Sequence, residues 1–134
     1  MTGPRPEPLI RGVDAIQIPV RDLEAALDFY RGQLGHPLRW RTETEAGLGV
    51  ADGGTELVLT TERPQYEPNL LVESVDVAAA EFAAHGGAIV VEPFDIPVGR
   101  VAVVRDPFGN TLVLIDLSKG RYVTNADGEV TGVE

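Results

Sequence analysis

One triplet constrains the fold more than any other feature of the chain. Leu-Val-Leu stands at residues 57–59 inside Gly-Gly-Thr-Glu-Leu-Val-Leu-Thr, and again at 112–114 inside Gly-Asn-Thr-Leu-Val-Leu-Ile. Two apolar strands, each launched from a glycine-containing turn and separated by about half of the 134-residue chain, read as the last strands of a duplicated module.

The second copy carries its turn chemistry in full: Asp106-Pro107-Phe108-Gly109-Asn110. Pro107 presets φ for a type I turn, Asp106 can accept from the backbone ahead of it, and Gly109 can take the left-handed conformation that closes the loop. The strand that follows, Thr111 to Leu117, is apolar on both faces. Such a strand belongs between a helix layer on one side and an enclosed space on the other.

Upstream, the same order of elements occurs twice. Ile16, Ile18 and Val20 alternate with Ala15, Gln17 and Pro19 in a first strand over 13–20; Asp22 stands as an N-cap, and Leu23, Ala26, Leu27 and Tyr30 follow at helical spacing until Gly32 and Gly35. Strands are then read at Leu38–Thr44, which holds Trp40, at Leu48–Ala51 and at Glu56–Thr61. Glu62–Pro68, with two prolines, reads as a linker. The pattern restarts with a strand at Leu70–Ser74, an Asp76 cap, a helix at Val77–His85, the Gly86-Gly87 stop, and strands at Ala88–Glu92, Arg100–Val104 and Thr111–Leu117. The expectation is an α+β fold: two βαβββ modules, residues 11–62 and 69–118, forming a curled mixed sheet around a cleft, with helices on the outer face. Residues 1–10, with three prolines, read as an extended arm. Residues 119–134, with an Asp127-Gly128 turn, read as a small hairpin or a loose tail.

Charge and composition narrow the partners. Twenty-one acids against eleven bases give a formal net charge of −10, which disfavours nucleic acid and anionic membrane surfaces, since both need a basic face. The absence of cysteine removes thiolate chemistry and disulfides. No apolar run reaches the roughly 20 residues of a membrane span, so the chain is expected to be cytoplasmic. No phosphate-binding glycine loop or nucleophile elbow is present.

Val20-Arg21-Asp22-Leu23-Glu24-Ala25-Ala26-Leu27-Asp28-Phe29-Tyr30, the Leu34-Gly35 after it, and Asp106-Pro107-Phe108-Gly109-Asn110 resemble the vicinal oxygen chelate superfamily, which includes glyoxalases, extradiol dioxygenases and bleomycin-binding resistance proteins. The resemblance covers about residues 12–118 and implies a homodimer. It also implies a test. Metal-using members place His, Gln or Glu on the first strand of each module and Glu or His on the last. Counting back from Asp22 and Asp76 puts these positions at Ala15 and Leu70, and the last strands supply Val58 and Val113. None of these four side chains offers a lone pair, so no metal and no cofactor are expected. His36 and His85 both fall near helix C-termini, away from the cleft.

By strand parity the cleft floor would carry Ala15, Gln17, Val58, Thr60, Leu70, Val72, Thr111, Val113 and Ile115. Trp40, Tyr66 and Phe94 would reach its rim, and Arg100 would be placed to meet a ligand oxygen. An apolar concavity with sparse polar points is the usual build of a small-molecule site. The expected function is metal-independent binding, in which the protein sequesters an aromatic or cationic compound such as an antibiotic. The alternative is a glyoxalase-like lyase, isomerase or dioxygenase with a displaced metal site or a carboxylate acid/base, for which Glu56 is the candidate and Asp116 a second.

Overall fold

The computed structural model describes residues 7–134; the first six residues of the N-terminal arm lie outside the described residues. Of the rest of that arm, Leu9 packs against the core of the second module and the Arg11 amide donates to Leu71 O at 2.7 Å.

Among the described residues, ten strands and two α-helices follow in order: β1 (Gly12–Pro19), α1 (Leu23–Leu27), β2 (Leu38–Arg41), β3 (Glu45–Leu48), β4 (Glu56–Thr60), β5 (Glu67–Leu71), α2 (Val75–Ala84), β6 (Ala88–Ile96), β7 (Gly99–Arg105), β8 (Thr111–Asp116), β9 (Tyr122–Thr124) and β10 (Val130–Val133). The first eight strands form one mixed sheet in the order β2-β3-β4-β1-β5-β8-β7-β6. The order is symmetric about its middle. β1 pairs parallel with β4, β5 pairs parallel with β8, and the two first strands meet antiparallel at the centre. The repeated triplets are therefore equivalent: Val58 is in register with Gln17, and Val113 with Asn69.

Each helix covers one half of the outer face. Leu23 and Leu27 pack on Ala46, Leu48 and Leu59, while Val75, Ala78 and Ala79 pack on Val72, Ala102, Val104 and Leu114. The alternation explains why the triplet is apolar throughout: Leu59 and Leu114 face the helices, while Val58 and Val113 face inward. The turn before β8 forms as its residues dictate. Asp106 Oδ1 accepts from Phe108 N at 2.8 Å and Asn110 N at 2.9 Å, and Gly109 takes φ +92°.

Several boundaries differ from the sequence expectation, each for a local reason. The first helix is α-helical only over Leu23–Leu27 and continues as a wider π-helical stretch over Asp28–Gln33. β3 lies at Glu45–Leu48 rather than 48–51, because Thr42 Oγ1 accepts from Thr44 N and Glu45 N and turns the chain early. β5 begins inside the segment read as a linker: Pro68 is in register with Ile16 of β1, and pairing to β8 starts only at Asn69, so its missing N–H costs no ladder bond on that side. The cap of α2 is Ser74, whose Oγ accepts from Val77 N; Asp76 lies two residues on, in the first turn. β6 runs on to Ile96. The segment at 119–134 is a hairpin, β9–β10, tied to the β2 edge by Arg41 N donating to Gly128 O at 2.8 Å. Among the described residues no helix is long and apolar enough to cross a membrane.

Candidate functional site

The inner face of the curled sheet encloses a cleft of about 560 Å³. Its floor is built from the central strands. Glu56, Ala15, Asn69 and Val113 stand in one row across β4, β1, β5 and β8, each in register with the next, and all four line the cleft. Gln17 and Val58 form the row beside it. β7 adds Val101 and Val103, and the extended end of β6 adds Phe94 and Ile96.

Trp40 forms the wall over the first module. Its indole lies against Gly47, where a Cβ would sit 2.1 Å from Nε1. Nε1 donates to Glu56 Oε1 at 2.9 Å, and Tyr122 of the C-terminal hairpin packs on the ring with centroids 5.2 Å apart. Burial pushes the Glu56 carboxyl above its ordinary range, against the lowering effect of the indole N–H. Asp14 is raised by burial too, with Arg121 pulling the other way. Asp14 reaches the cleft alongside its neighbour Ala15 because the β1–β5 ladder shifts register between Val13 and Ala15, and the bulge turns consecutive side chains inward. Gly47→Ala should expel the indole from its seat and break its bond to Glu56. The expected readout is a red-shifted emission from the single tryptophan with the fold retained by circular dichroism; an unchanged spectrum would disprove the assigned contact.

The residues expected at the floor divide into two groups. Ala15, Gln17, Trp40, Glu56, Val58, Phe94, Val113 and Ile115 line the cleft. Leu70 and Val72 instead pack under α2: the seven-residue step that leads from Asp22 to Ala15 leads from Asp76 to Asn69, and Leu70, one residue on, faces the other side of the sheet. Thr60 is buried past the end of the cleft, where its Oγ1 accepts from Glu62 N. Thr111 is exposed at the start of β8. Arg100 is on the helix side of β7, held by Asp76 and Asp95. Tyr66 is 68% exposed and stands apart from the cleft. Asp116 is buried and fully engaged with backbone N–H groups near α2. Sequence reading missed Asn69, Arg63, Asp14, Arg121 and Tyr122, all of which line the cleft.

The register also corrects the fourth metal position. Gln17 corresponds to Asn69, so Ala15 corresponds to Glu67, not Leu70. Glu67 carries a carboxylate, but both oxygens accept from Arg63, Nε and Nη2, each at 2.7 Å. With Ala15, Val58 and Val113 at the other three positions, the donor set does not fit a divalent ion. Among the described residues no group of three or more His, Asp or Glu side chains is placed to hold one. His36 Nδ1 meets Gly49 O at 3.0 Å and His85 pairs with Glu81 at the end of α2, both outside the cleft.

Residues 12–114 match the family description Glyoxalase/Bleomycin resistance protein/Dioxygenase superfamily. An uncharacterized protein of Mycolicibacterium smegmatis is 36% identical over 107 residues, covering 75% of this chain and 90% of that protein. The putative glyoxylase CFP32 of Mycobacterium bovis is 54% identical over 39 residues, which is 28% of this chain and 15% of that protein. Among solved structures, methylmalonyl-CoA epimerase from Mycobacterium tuberculosis superposes with a TM-score of 0.67 at 20% identity, covering 81% of this chain and 89% of that one. A hypothetical protein from Bacillus halodurans C-125 gives 0.67 at 20% identity over 84% and 97%. At that identity the likeness is one of fold.

Proposed function

Because this chain belongs to the Glyoxalase/Bleomycin resistance protein/Dioxygenase superfamily, we propose that it uses the cleft of that fold as a metal-independent binding site for a small aromatic or cationic compound, such as an antibiotic. The observation that carries this reading is the donor set. Three of the four metal positions are aliphatic, and the fourth, Glu67, is held by Arg63, beneath a cleft whose wall pairs Trp40 with Tyr122. Aromatic faces favour flat or cationic groups, and the Asp14 and Glu56 carboxylates beside them offer a cation a partner, next to the Arg39, Arg63 and Arg121 guanidiniums that line the same cleft.

Trp40 is the only tryptophan, so its fluorescence reports the cleft directly. Titration with planar cationic compounds should give saturable quenching at one ligand per chain, unaltered by a chelator. Trp40→Leu, which removes the fluorophore and is followed by isothermal titration calorimetry, should weaken binding about tenfold, roughly 1.4 kcal/mol, the scale of a stacking or cation–π contact. Since both carboxyls are raised, they lose charge on acidification before ordinary carboxylates do; affinity for a cation should therefore fall above the usual carboxylate range. Saturable binding that requires an added divalent ion, or no quenching by any compound of the class, overturns the reading.

A second reading rests on Glu56 itself. A half-buried carboxyl raised by burial is suited to general acid–base work, and the family includes lyases and isomerases. Glu56→Gln discriminates: it would abolish turnover of such an enzyme, whereas in a binding protein it lowers only cation affinity.

A further inference from the structure

Asn69 has no role in the preceding electrostatics, yet it is the polar centre of the floor. It is only 9% exposed, it lines the cleft, and it stands in register between Ala15 and Val113, two of the aliphatic metal positions. Its orientation is fixed from one side: Gln17 Nε2 donates to Asn69 Oδ1 at 2.8 Å. That bond turns the Asn69 Nδ2 group away from Gln17. The unpaired side-chain atoms sealed from solvent among the described residues are Gln17 Oε1 and Arg100 Nε. Among the described residues Nδ2 makes no hydrogen bond, it is not among the atoms sealed from solvent, and Asn69 lines the cleft.

A donor amide on a residue nine-tenths buried finds its acceptor only in the cleft, in solvent or in a bound molecule that displaces it, and a molecule that fills the cleft without accepting from it loses that bond. Ala15 beside it has no side chain long enough to do so, and Val113 on its other side has no polar atom. The next polar group of the row, Glu56, stands two strands from Asn69, roughly 10 Å away between Cα atoms, and its Oε1 already accepts from Trp40. Arg63, whose Nη1 is not used by Glu67, is a second donor lining the same cleft.

We propose that Asn69 Nδ2, oriented by Gln17, is an oxygen-recognition subsite at the cleft floor: it donates to a carbonyl or carboxylate oxygen of the bound molecule, in the place where metal-using relatives of the fold put a cation. The inference rests on the binding reading above and refines its ligand class. The molecule carries an aromatic body against Trp40 and an acceptor oxygen directed down at Asn69. Carboxylates gain further from the Arg63 guanidinium; neutral carbonyls rely on the amide alone.

The test uses four probes with one ring: benzoate, benzamide, benzylamine and toluene, each titrated into the full chain. Trp40 quenching reports occupancy of the cleft, and the side-chain 15N–1H resonances of Asn69 report the subsite. Benzamide and benzoate should bind at least fivefold more tightly than toluene and shift the Asn69 resonances. Asn69→Asp, which replaces the donor by an acceptor, should remove the preference of benzamide and benzoate over toluene. Gln17→Leu, which frees the amide to rotate, should reduce it. If the four probes bind alike, or benzylamine alone moves the Asn69 resonances, the cleft-binding reading stands and the oxygen subsite is wrong. If none quenches Trp40, both fall. The probe preference of the unmodified protein decides the matter even if a variant does not fold.

Discussion

Asp116→Ala should lower stability by about 3–4 kcal/mol, a fall in melting temperature on the order of 10 °C for a domain of this size. Asp116 is 4% exposed, and its carboxylate organises three elements at once. Oδ2 accepts from Val75 N at 2.9 Å, at the start of α2. Oδ1 accepts from Arg100 N at 3.1 Å, Ser118 N at 3.3 Å and Ser118 Oγ at 2.7 Å. Alanine leaves the buried Val75 N–H without a partner, and each orphaned buried donor costs about 1–3 kcal/mol; the lost anion at a helix N-terminus adds somewhat less than 1 kcal/mol.

The pH dependence follows from the same bonds. Burial alone would raise this carboxyl, but the donors from Val75, Ser118 and Arg100 outweigh it and hold it below its ordinary value. A depressed folded-state value means that the stabilisation is present above the unfolded value, near 3.9, and is lost as pH falls through the folded one. Asp116→Asn should therefore be less stable at neutral pH and show a shallower acid limb in urea unfolding. Equal slopes for wild type and variant below pH 4 would refute the assignment.

This carboxylate also marks where sequence reading succeeds and where it stops. Asp116 stood in the sequence as a candidate acid or base, because nothing in the sequence says that a backbone N–H from another element will meet it. Patterns contained within one turn or one strand were legible. The Asp106–Asn110 turn forms with the predicted acceptor and the predicted left-handed glycine, and Val58 and Val113 face inward as the triplet required. Errors arose wherever a count had to cross a loop. Ser74 and Asp76 are both good capping residues, and the two-residue step between them keeps parity; the count back from Asp76 stops one residue short of the seven that separate Asp22 from Ala15, which puts Leu70 in the cleft instead of Asn69. The bulge beside Asp14 breaks the strict alternation on which parity depends. Tyr122 and Arg121 come from a hairpin beyond the repeat, and only tertiary docking of β9–β10 brings them to the cleft.

The register of β1, β4, β5 and β8 also predicts a gain of function, somewhat smaller than the loss at Asp116. If the fold has kept its metal geometry and lost only the donors, Ala15→His, Val58→Glu and Val113→Glu should restore three of them on strands already in register. The fourth, Glu67, is present but occupied, because Arg63 takes both of its oxygens at 2.7 Å. The triple variant should thus bind Co2+ weakly, and adding Arg63→Gln should tighten binding by at least tenfold by freeing that carboxylate. Without metal, the quadruple variant should be less stable than wild type, since two new carboxylates face Glu67 and Glu56 across a partly desolvated floor. Metal at a hundred times its dissociation constant should then return about 2.7 kcal/mol, a rise of several degrees in melting temperature accompanied by visible Co2+ absorption. The wild-type melting temperature should not respond to the same ion. A quadruple variant that fails to bind would mean that the backbone, and not only the side chains, has departed from a metal-holding shape. A gain from the triple variant that Arg63→Gln does not improve would mean that the Arg63–Glu67 pair is not what keeps a cation out of the cleft.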